Sequence, residues 1–283
     1  VLPYTNIGYS YSSTNKLNQV SSPTTYTNTF SGTGGLHQVY LGAGFEPIKG
    51  LSVGFNLGYL WGNYERSIIN SYSNAYINTL SKYYTATVNN YKLDLGLQYT
   101  AKISHTDNIT LGLTYGYGHK LGADPKCQTI SRNTSTGVSD TTSVSISNGL
   151  KLPTTYGVGI MYNRANKLKL GVDYSLMKYS DIGYPMSTLQ SDGKQNYELV
   201  SGIYKNRSKI TVGATYCPDE NGRHFMDHVK YSIGASYATP YYKINEKDGP
   251  KEYGISAGFG IPIINKWNNR SYLNISGTWT KQE

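Results

Sequence analysis

The chain has 283 residues and a net charge of +9 at pH 7, with 29 tyrosines and 31 glycines. Its charged fraction of 15% lies below the roughly 25% of soluble domains, which argues against an ordinary soluble protein. The sequence lacks the apolar run of about 18 residues that a membrane-spanning helix needs. The positive charge has two open interpretations, solvated lysines in loops or attraction to anionic lipid headgroups. The sequence has no basic helix, zinc spacing or RNA-binding signature, so we predict no nucleic-acid partner.

Alternation of apolar and polar residues predicts eleven β-strands. It is clearest in residues 91–103 and 109–119, which flank the polar turn SHTDN and place apolar side chains at every second position. In chain order the predicted strands are residues 4–11, 37–46, 51–61, 91–103, 109–119, 153–162, 168–176, 208–216, 229–237, 253–261 and 272–279. Most are about 9–11 residues long, which is enough for a tilted strand to cross a bilayer.

The connections between these strands are alternately short and long. Short polar turns are predicted near residues 48, 106, 165, 221 and 267. Long polar loops are predicted at 12–35 (loop or the tip of a hairpin), 63–85, 121–149, 179–197 and 239–251, with residues 143–147 as an optional strand extension. Consecutive antiparallel strands therefore put all tight turns at one end and all long loops at the other. This polarity is typical of bacterial outer-membrane barrels. A soluble sandwich with half-buried tyrosines is the alternative, but it has no reason to sort its loops in this way.

The sequence thus predicts an all-β fold, a transmembrane antiparallel up-and-down β-barrel that forms one domain over residues 1–283. Bacterial barrels generally have an even number of strands. The odd count of eleven, and the absence of a signal peptide before Val1, lead us to expect that the chain is processed or that strands are lacking at one or both ends.

A Gly-apolar-x-Tyr tetrad recurs in six strands and predicts which residues face outward and inward. Tyrosine settles where hydrocarbon meets headgroups, so an outward aromatic girdle is predicted at Tyr99, Tyr115, Tyr162, Tyr174, Tyr216 and Tyr237. The opposite face is predicted to line a lumen with Glu46, Lys92, Asp94, Gln98, Lys102, Lys169, Asp173, Lys209 and Lys230. These charges either pair across a wet interior or tune what passes, and their mixed signs argue against ring-type ion selectivity.

We predict no catalytic residue, metal site or cofactor. His224 and His228 lie near acidic residues, but side chains four apart on a strand are about 13 Å apart, too far to share an ion unless the segment is helical. No Ser-His-acid arrangement stands out, so the protein is predicted not to be an enzyme. Cys127 falls in a long loop and Cys217 beside a short turn, at opposite membrane faces, so no disulfide is expected between them.

Four stretches resemble the FadL-type superfamily of outer-membrane transporters for hydrophobic compounds, which also includes the PorV-like subunits of type IX secretion. They are residues 34–62 (GGLHQVYLGAGFEPIKGLSVGFNLGYLWG), 152–162 (LPTTYGVGIMY), 167–175 (KLKLGVDYS) and 253–263 (YGISAGFGIPI). The resemblance implies a fourteen-stranded barrel with an N-terminal hatch and a lateral opening for apolar molecules. Val1 leads directly into a strand, so we expect this chain to lack the hatch, with its Asn-Pro-Ala motif, and the closing strand. No ligand contact of the family is therefore transferred.

Three functions stay open at this point. The first is passive passage of fatty acids or other hydrophobic molecules, and the second is a non-transporting subunit of an outer-membrane complex for secretion, assembly or uptake. The third, a mitochondrial porin, rests on the triplet Gly149-Leu150-Lys151 and is contradicted by five long loops at one end. Expected partners are membrane lipids and lipopolysaccharide, a hydrophobic small molecule, and other outer-membrane proteins. The expected location is the bacterial outer membrane, with long loops extracellular and short turns periplasmic.

Overall fold

A computed structural model describes residues 2–17, 24–189, 194–219, 224–264 and 270–283. Within these ranges the chain is almost entirely β-structure, with a single turn of 3₁₀ helix at Phe225–His228. None of the helical structure in the described residues has the length and apolar character to cross a membrane.

The strands are, in chain order, β1 (Leu2–Leu17), β2 (Thr24–Ile48), β3 (Leu51–Tyr72), β4 (Thr79–Lys102), β5 (Asp107–Gly116), β6 (Lys126–Arg132), β7 (Ser139–Ser145), β8 (Thr154–Arg164), β9 (Leu168–Lys178), β10 (Tyr184–Leu189), β11 (Gln195–Val200), β12 (Arg207–Tyr216), β13 (Lys230–Ala238), β14 (Lys243–Ile244), β15 (Lys247–Asp248), β16 (Glu252–Ile264) and β17 (Arg270–Gln282). One sheet holds 13 of them. Its path runs β1-β2-β3-β4-β5-β8-β9-β12-β13-β16-β17, and the β6–β7 hairpin is attached to β4. The hairpins β10–β11 and β14–β15 are separate.

The eleven strands of this path are the eleven that the sequence predicts, and all described pairings between them are antiparallel. The predicted all-β, up-and-down barrel fold is thereby confirmed. Tight turns join the strands at one end, which we call the short-turn end. In the turn between β8 and β9, Ala165 and Asn166 both have positive φ (50° and 58°), which suits the twist of a two-residue hairpin.

Apolar side chains lie on the outer surface of the sheet rather than in a core. Leu95 is 44% exposed and Leu113, its diagonal neighbour on β5, is 51% exposed. Their strand neighbours Gly96 and Thr114 face the interior and line its largest cavity. In water this arrangement would be unfavourable by about 25 cal/mol per Å² of apolar surface. In hydrocarbon it is the expected one, because lipid contacts the apolar face while the strand ladders satisfy the backbone.

Two of the predicted polar segments are largely strand. Residues 12–35 are predicted to be loop or the tip of a hairpin, and their described part belongs to the β1–β2 hairpin, since β1 continues to Leu17 and β2 begins at Thr24. The loop prediction for residues 63–85 is wrong, because β3 runs to Tyr72 and β4 begins at Thr79. These extensions are polar on both faces and lack the apolar alternation that marks a membrane strand. They are rich in Thr and Tyr, which favour strands. Cross-strand contacts such as Thr14 Oγ1 with Thr27 Oγ1, at 2.9 Å, join them.

The extensions carry the sheet far beyond a bilayer at the end opposite the tight turns, which we call the long-strand end. The 25 residues of β2 correspond to about 80 Å of extended chain, against a hydrocarbon core of about 30 Å. By contrast, β5, β8, β9 and β12 have 10 or 11 residues each. Strands β1–β4 with β6 and β7 therefore form a wall that projects on one side only, which we call the projecting wall.

The other predicted loops at the long-strand end also contain strands. Residues 121–149 include β6 and β7, so the predicted extension at 143–147 is present but begins at Ser139. Residues 179–197 were predicted to be irregular, which is wrong, since β10 and β11 pair in register from Tyr184–Val200 to Leu189–Gln195. The predicted turn near residue 267 lies outside the described residues, as does most of the turn near 221. Cys127, in β6, and Cys217, after β12, are both buried thiols.

Exposure of Val212 to lipid predicts a matched pair of substitutions at one depth. Val212 faces outward on β12 (44% exposed), whereas its neighbour Thr211 lines an interior cavity and pairs in register with Asp173. Val212→Arg should destabilise the protein folded in a bilayer by about 2–4 kcal/mol if it lies near the midplane. Thr211→Arg should destabilise it much less, because the new side chain would face water and Asp173. Urea titrations of folding into vesicles measure both. Equal losses for the two variants would contradict the assignment of faces.

Candidate functional site

The largest interior cavity has a volume of about 980 Å³ and lies against strands β2 to β5, with contributions from β1, β8 and β9. Tyr40, Asn56, Lys92, Asp94 and Gln98 contribute polar groups to its lining, and the apolar residues there include Phe55, Leu97 and Met177. Lys92 and Asp94, two apart on β4, form an ion pair within it. The cavity therefore has a mixed lining, with a charged pair beside apolar surface.

The other predicted lumen residues are divided between two smaller cavities and the ends of the sheet. Lys169 and Asp173 line a cavity of about 470 Å³, and Lys230 lines one of about 390 Å³, where its Nζ lies 3.6 Å from the centre of the Tyr272 ring. The remaining three are Glu46, Lys102 and Lys209, and they line none of these cavities in the described part of the chain. Glu46 accepts a hydrogen bond from the backbone of Gly50 at a tight turn, and Lys102 and Lys209 lie near the ends of β4 and β12.

An apolar cluster crosses the interior between the large cavity and the long-strand end. Leu60 and Val88 project inward from β3 and β4 and are almost fully buried (0% and 1% exposed). They pack against Leu121, Ala123 and Leu152, with Leu36 and Leu150 at the periphery. Leu121 and Ala123 lie in the segment that links β5 to β6, and Leu152 lies in the segment that links β7 to β8. Backbone hydrogen bonds such as Leu121 N to Leu150 O, at 2.8 Å, hold the two segments together. Burying each large side chain contributes about 1.5–3 kcal/mol.

The wall of the barrel is interrupted beside this cluster. Strand β4 pairs with β5 over residues 94–102 and with β6 over residues 79–85, so in the described structure its residues 86–93 have no strand partner on that side. The Leu93 carbonyl still accepts from Tyr117 N at 2.9 Å. Further along, Asn90 Nδ2 donates to the Lys120 carbonyl at 3.4 Å, and its Oδ1 lies 3.3 Å from His119 Nε2. The His119 ring stacks on Tyr91, with centroids 4.3 Å apart.

The β10–β11 hairpin lies on the inner face of the projecting wall. Arg66 on β3 donates from Nη1 to the Tyr184 hydroxyl at 2.7 Å, and its guanidinium lies 5.5 Å above the ring of its cross-strand neighbour Tyr84. On the next strand Gln195 Nε2 donates to Cys127 Sγ at 3.1 Å, while Tyr197 packs 6.3 Å from Tyr84. These contacts attach the hairpin to the wall.

Tyrosines dominate this region and extend it to the loop after β13. The Tyr204 ring contacts Tyr179, Tyr184 and Tyr241, at centroid distances of 6.3, 5.8 and 6.4 Å. Burial raises the pKa of Tyr84 and of Tyr204 to about 12. Their hydroxyls therefore stay protonated across the physiological range and remain available as donors. The cluster is a packed polar contact between wall, hairpin and loop.

The six tyrosines of the predicted girdle fall into two rows. Tyr99, Tyr162 and Tyr216 lie toward the short-turn end of β4, β8 and β12, and Tyr115, Tyr174 and Tyr237 toward the long-strand end of β5, β9 and β13. Tyr99 and Tyr216 are about half exposed. Two rows separated by apolar side chains are the arrangement expected at the two surfaces of a membrane.

His224 and His228 flank the one 3₁₀ turn, as its N-cap and last residue. Within the described residues no group of three or more His, Cys, Asp or Glu side chains is arranged to hold a metal ion. Sequence reasoning missed the apolar cluster and the contacts of Arg66. The only signals for them were isolated leucines in polar segments and the abundance of tyrosine in residues 179–204.

The exposed apolar belt, the two tyrosine rows and the antiparallel path of strands define an outer-membrane β-barrel protein. Within that class, the sequence model of the BamG family matches residues 1–282, so the chain belongs to the BamG family. Comparison with curated proteins gives no match.

Solved structures with a similar fold are FadL-type barrels. The CymD monoaromatic hydrocarbon channel is 12% identical with a TM-score of 0.60, over 98% of this chain and 83% of that one. A TodX monoaromatic hydrocarbon channel mutant is 12% identical with a TM-score of 0.56, over 94% of this chain and 76% of that one. A Pseudomonas aeruginosa FadL homologue is 12% identical with a TM-score of 0.55, over 96% of this chain and 69% of that one. At this identity the likeness shows the fold, and the predicted resemblance to FadL-type barrels is confirmed at that level.

The contact of Arg66 with Tyr184 predicts how the hairpin can be released. Tyr184→Phe removes the acceptor of a charged donor, which should cost about 1.5 kcal/mol, and should speed hydrogen–deuterium exchange in β10 and β11 while exchange in β12 stays unchanged. Tyr76→Phe, at the exposed tip between β3 and β4 (82% exposed), is the control and should leave exchange unaltered. If β10 and β11 of the Tyr184→Phe variant exchange at the wild-type rate, the Arg66–Tyr184 hydrogen bond does not hold the hairpin in place.

Proposed function

We propose that the protein is a non-transporting accessory subunit of an outer-membrane protein complex. Its barrel anchors the chain in the membrane, with the long-strand end outside the cell and the short turns in the periplasm. The projecting wall is the surface that docks a protein partner. The observation that carries this proposal is the one-sided extension of β1–β4, β6 and β7 far beyond the membrane strands.

The outer face of the projecting wall has the properties of a docking surface. The β10–β11 hairpin packs on its inner face at β3, β4 and β6, which leaves the outer face open. In the described residues the edges of the wall, at β1 and at β7, have no further strand partner. Four exposed residues on the outer face are neighbours in the β2–β3–β4 register: Thr33, Asn63, Glu65 and Thr87. A paired sheet presents such groups without the ordering cost that a loop would pay on binding.

The interior supports the same proposal. The lining of the large cavity is mixed and includes the Lys92–Asp94 ion pair, and the apolar cluster of Leu60, Val88, Leu121, Ala123 and Leu152 lies between the cavity and the long-strand end. A continuous conduit for hydrophobic molecules would be expected to be apolar along its length. The BamG family match over nearly the whole chain also favours an accessory role.

Site-specific photocrosslinking in the native outer membrane tests the docking surface. A photoreactive residue at Thr33, Glu65 or Thr87 should yield a crosslink to one defined protein, and the same residue at Lys49, exposed in the tight turn after β2, should not. In mild detergent the tagged protein should co-purify with that partner. A protein that migrates alone and gives no crosslink from the wall would refute the proposal.

Passage of hydrophobic molecules is a second candidate, favoured by the interrupted wall at residues 86–93. The apolar cluster adjoins that interruption, as a gated lateral path would require. If the path operates, Leu121→Ala with Leu152→Ala should raise the uptake of a fluorescent fatty acid into proteoliposomes several-fold, since a plug of about two large side chains is lost. Leu273→Ala, on the outer face of β17, is the control. Uptake equal to that of the control would exclude this route.

A further inference from the structure

The β6–β7 hairpin ends the projecting wall in an open sheet edge. Strand β7 has seven residues, all of them paired with β6, and within the described residues it has no strand partner on its other side. Strand β11 comes near β7, yet six of the seven residues of β7 are exposed and only Val144 is partly buried. The edge is therefore accessible to another molecule.

Hydrogen bonds at the two ends of the hairpin show which backbone groups of β7 are open. Asn133 N donates to Val138 O at 2.8 Å near the tip, and Ile146 N donates to Pro125 O at 3.0 Å at the base. Both bonds fit the β6–β7 register, so the hydrogen-bonded pairs of this ladder lie at the even-numbered positions of β7. The odd-numbered positions direct their N–H and C=O groups away from β6. They are Ser139, Thr141, Ser143 and Ser145.

This edge lacks most of the features by which exposed edge strands avoid pairing. Such strands usually carry lysine or proline, contain a bulge or are very short. The sequence SDTTSVS of β7 has no lysine, proline or glycine, and its register with β6 is unbroken. Its one charged residue, Asp140, lies near the tip of the hairpin. The middle and base of β7 are thus suited to pairing with a further strand.

The outer face of this edge is continuous with the docking surface proposed above. The register of five neighbouring strands places one residue of each in a single cross-strand row that ends at the open edge. The row consists of Thr33, Glu65, Thr85, Lys126 and Ser145. A protein that covers the outer face of the wall therefore reaches β7 without crossing a gap.

Two basic side chains flank the hairpin on the same outer face. Lys126 and Arg132 occupy the two ends of β6, and alternation puts both on the face of Thr85. In the described part of the chain neither forms an ion pair. A strand added to β7 would lie two strand spacings, about 10 Å, from β6, so its acidic side chains would be within reach of these cations.

A second copy of this chain cannot supply the same edge. Two copies inserted in one direction into a membrane are related by an axis along the membrane normal, so their β7 strands run in the same direction relative to the membrane. Joining two identical edges in one continuous sheet requires the strands to be antiparallel. The complementary edge must therefore come from a different segment.

We propose that the open edge of β7 binds an extended segment of the partner protein by β-strand addition. Backbone hydrogen bonds to the odd-numbered positions of β7 hold the segment, and its acidic side chains pair with Lys126 and Arg132. The proposal rests on the proposed function, because the segment belongs to the protein that docks on the projecting wall.

Hydrogen–deuterium exchange of individual amides tests strand addition directly. The complex is purified from the native outer membrane through a tag on this chain and compared with the chain freed from its partner. In the complex the amides of Thr141 and Ser143 should exchange at least about ten-fold more slowly. The amides of Thr142 and Val144 already face β6 and should change much less. Equal exchange of Thr141 and Ser143 in the two samples would overturn the proposal.

Proline substitution removes the open donors while it spares the pairing with β6. T141P/S143P deletes two N–H groups that point to the edge, a position at which strands accept proline. It should weaken retention of the partner by about ten- to a hundred-fold. T141A/S143A keeps the backbone donors and should retain the partner. Unchanged exchange in β6 would confirm that the hairpin of the proline variant is intact.

The two proposals fail in different ways. If the proline variant, with its hairpin intact, retains the partner and still crosslinks from Thr33 and Glu65, the wall docks the partner and strand addition is wrong. If the wild type purifies alone, both proposals are wrong. A photoreactive residue at Ser143 should crosslink to the partner, and a crosslink to another copy of this chain would overturn the assignment of the edge.

A charge variant tests the chemistry of the bound segment. K126Q/R132Q should weaken retention of the partner by about two- to ten-fold, the range expected for two exposed ion pairs, and added salt should reduce the difference. K49Q/K243Q, an equal loss of charge at exposed positions elsewhere, should have no effect. Wild-type retention by K126Q/R132Q would contradict an acidic segment.

Discussion

The structure depends on one constraint, that hydrocarbon offers no partner to a backbone N–H or C=O group. Strands that cross the membrane must therefore pair with their neighbours, and the pleat then sends alternate side chains to lipid and to the interior. Leu95 and Leu113 are exposed because lipid is their solvent, while Gly96 and Thr114 face a wet interior. What would be the core of a soluble protein lies on the outside.

The same period explains how much of the fold could be predicted from the sequence. Where one face meets lipid, alternation is strict, and all eleven strands of the main path follow from it. The parity that places Leu95 outward also places Lys92, Asp94 and Gln98 around the large cavity. Beyond the membrane both faces of a strand contact water or polar groups, so alternation vanishes although the pairing continues. Residues 63–72 and 79–85 therefore looked like loop and are strand.

Contacts that join distant segments could not be predicted in this way. Arg66 and Tyr184 are 118 positions apart, and nothing local in either segment specifies the other. The apolar cluster was missed for a related reason, because Leu121 and Leu152 are single apolar residues in polar stretches with no period to place them. They become buried only because the two chains beyond β5 and β8, still paired with each other, leave the edge of β4 and pack against the inward side chains of β3 and β4. That departure is also what leaves residues 86–93 of β4 without a strand partner on one side.

The same departure explains how two leucines become buried beside two lysines. Beyond β5 and β8 the two chains stay paired in one register, with Leu121 N bonded to Leu150 O at 2.8 Å and Lys120 opposite Lys151. Counted from the outward Tyr115 and Tyr156, alternation puts Leu121 and Leu152 on the outer side of this ladder and the two lysines on its inner side.

The leucines pack against Leu60 and Val88, which face inward from β3 and β4, so the ladder lies inside the wall at this level. The lysines then face the wet interior. Each buried leucine contributes about 1.5–3 kcal/mol, whereas exposed like charges cost only a few tenths of a kcal/mol, so burial of the leucines outweighs the repulsion between the lysines.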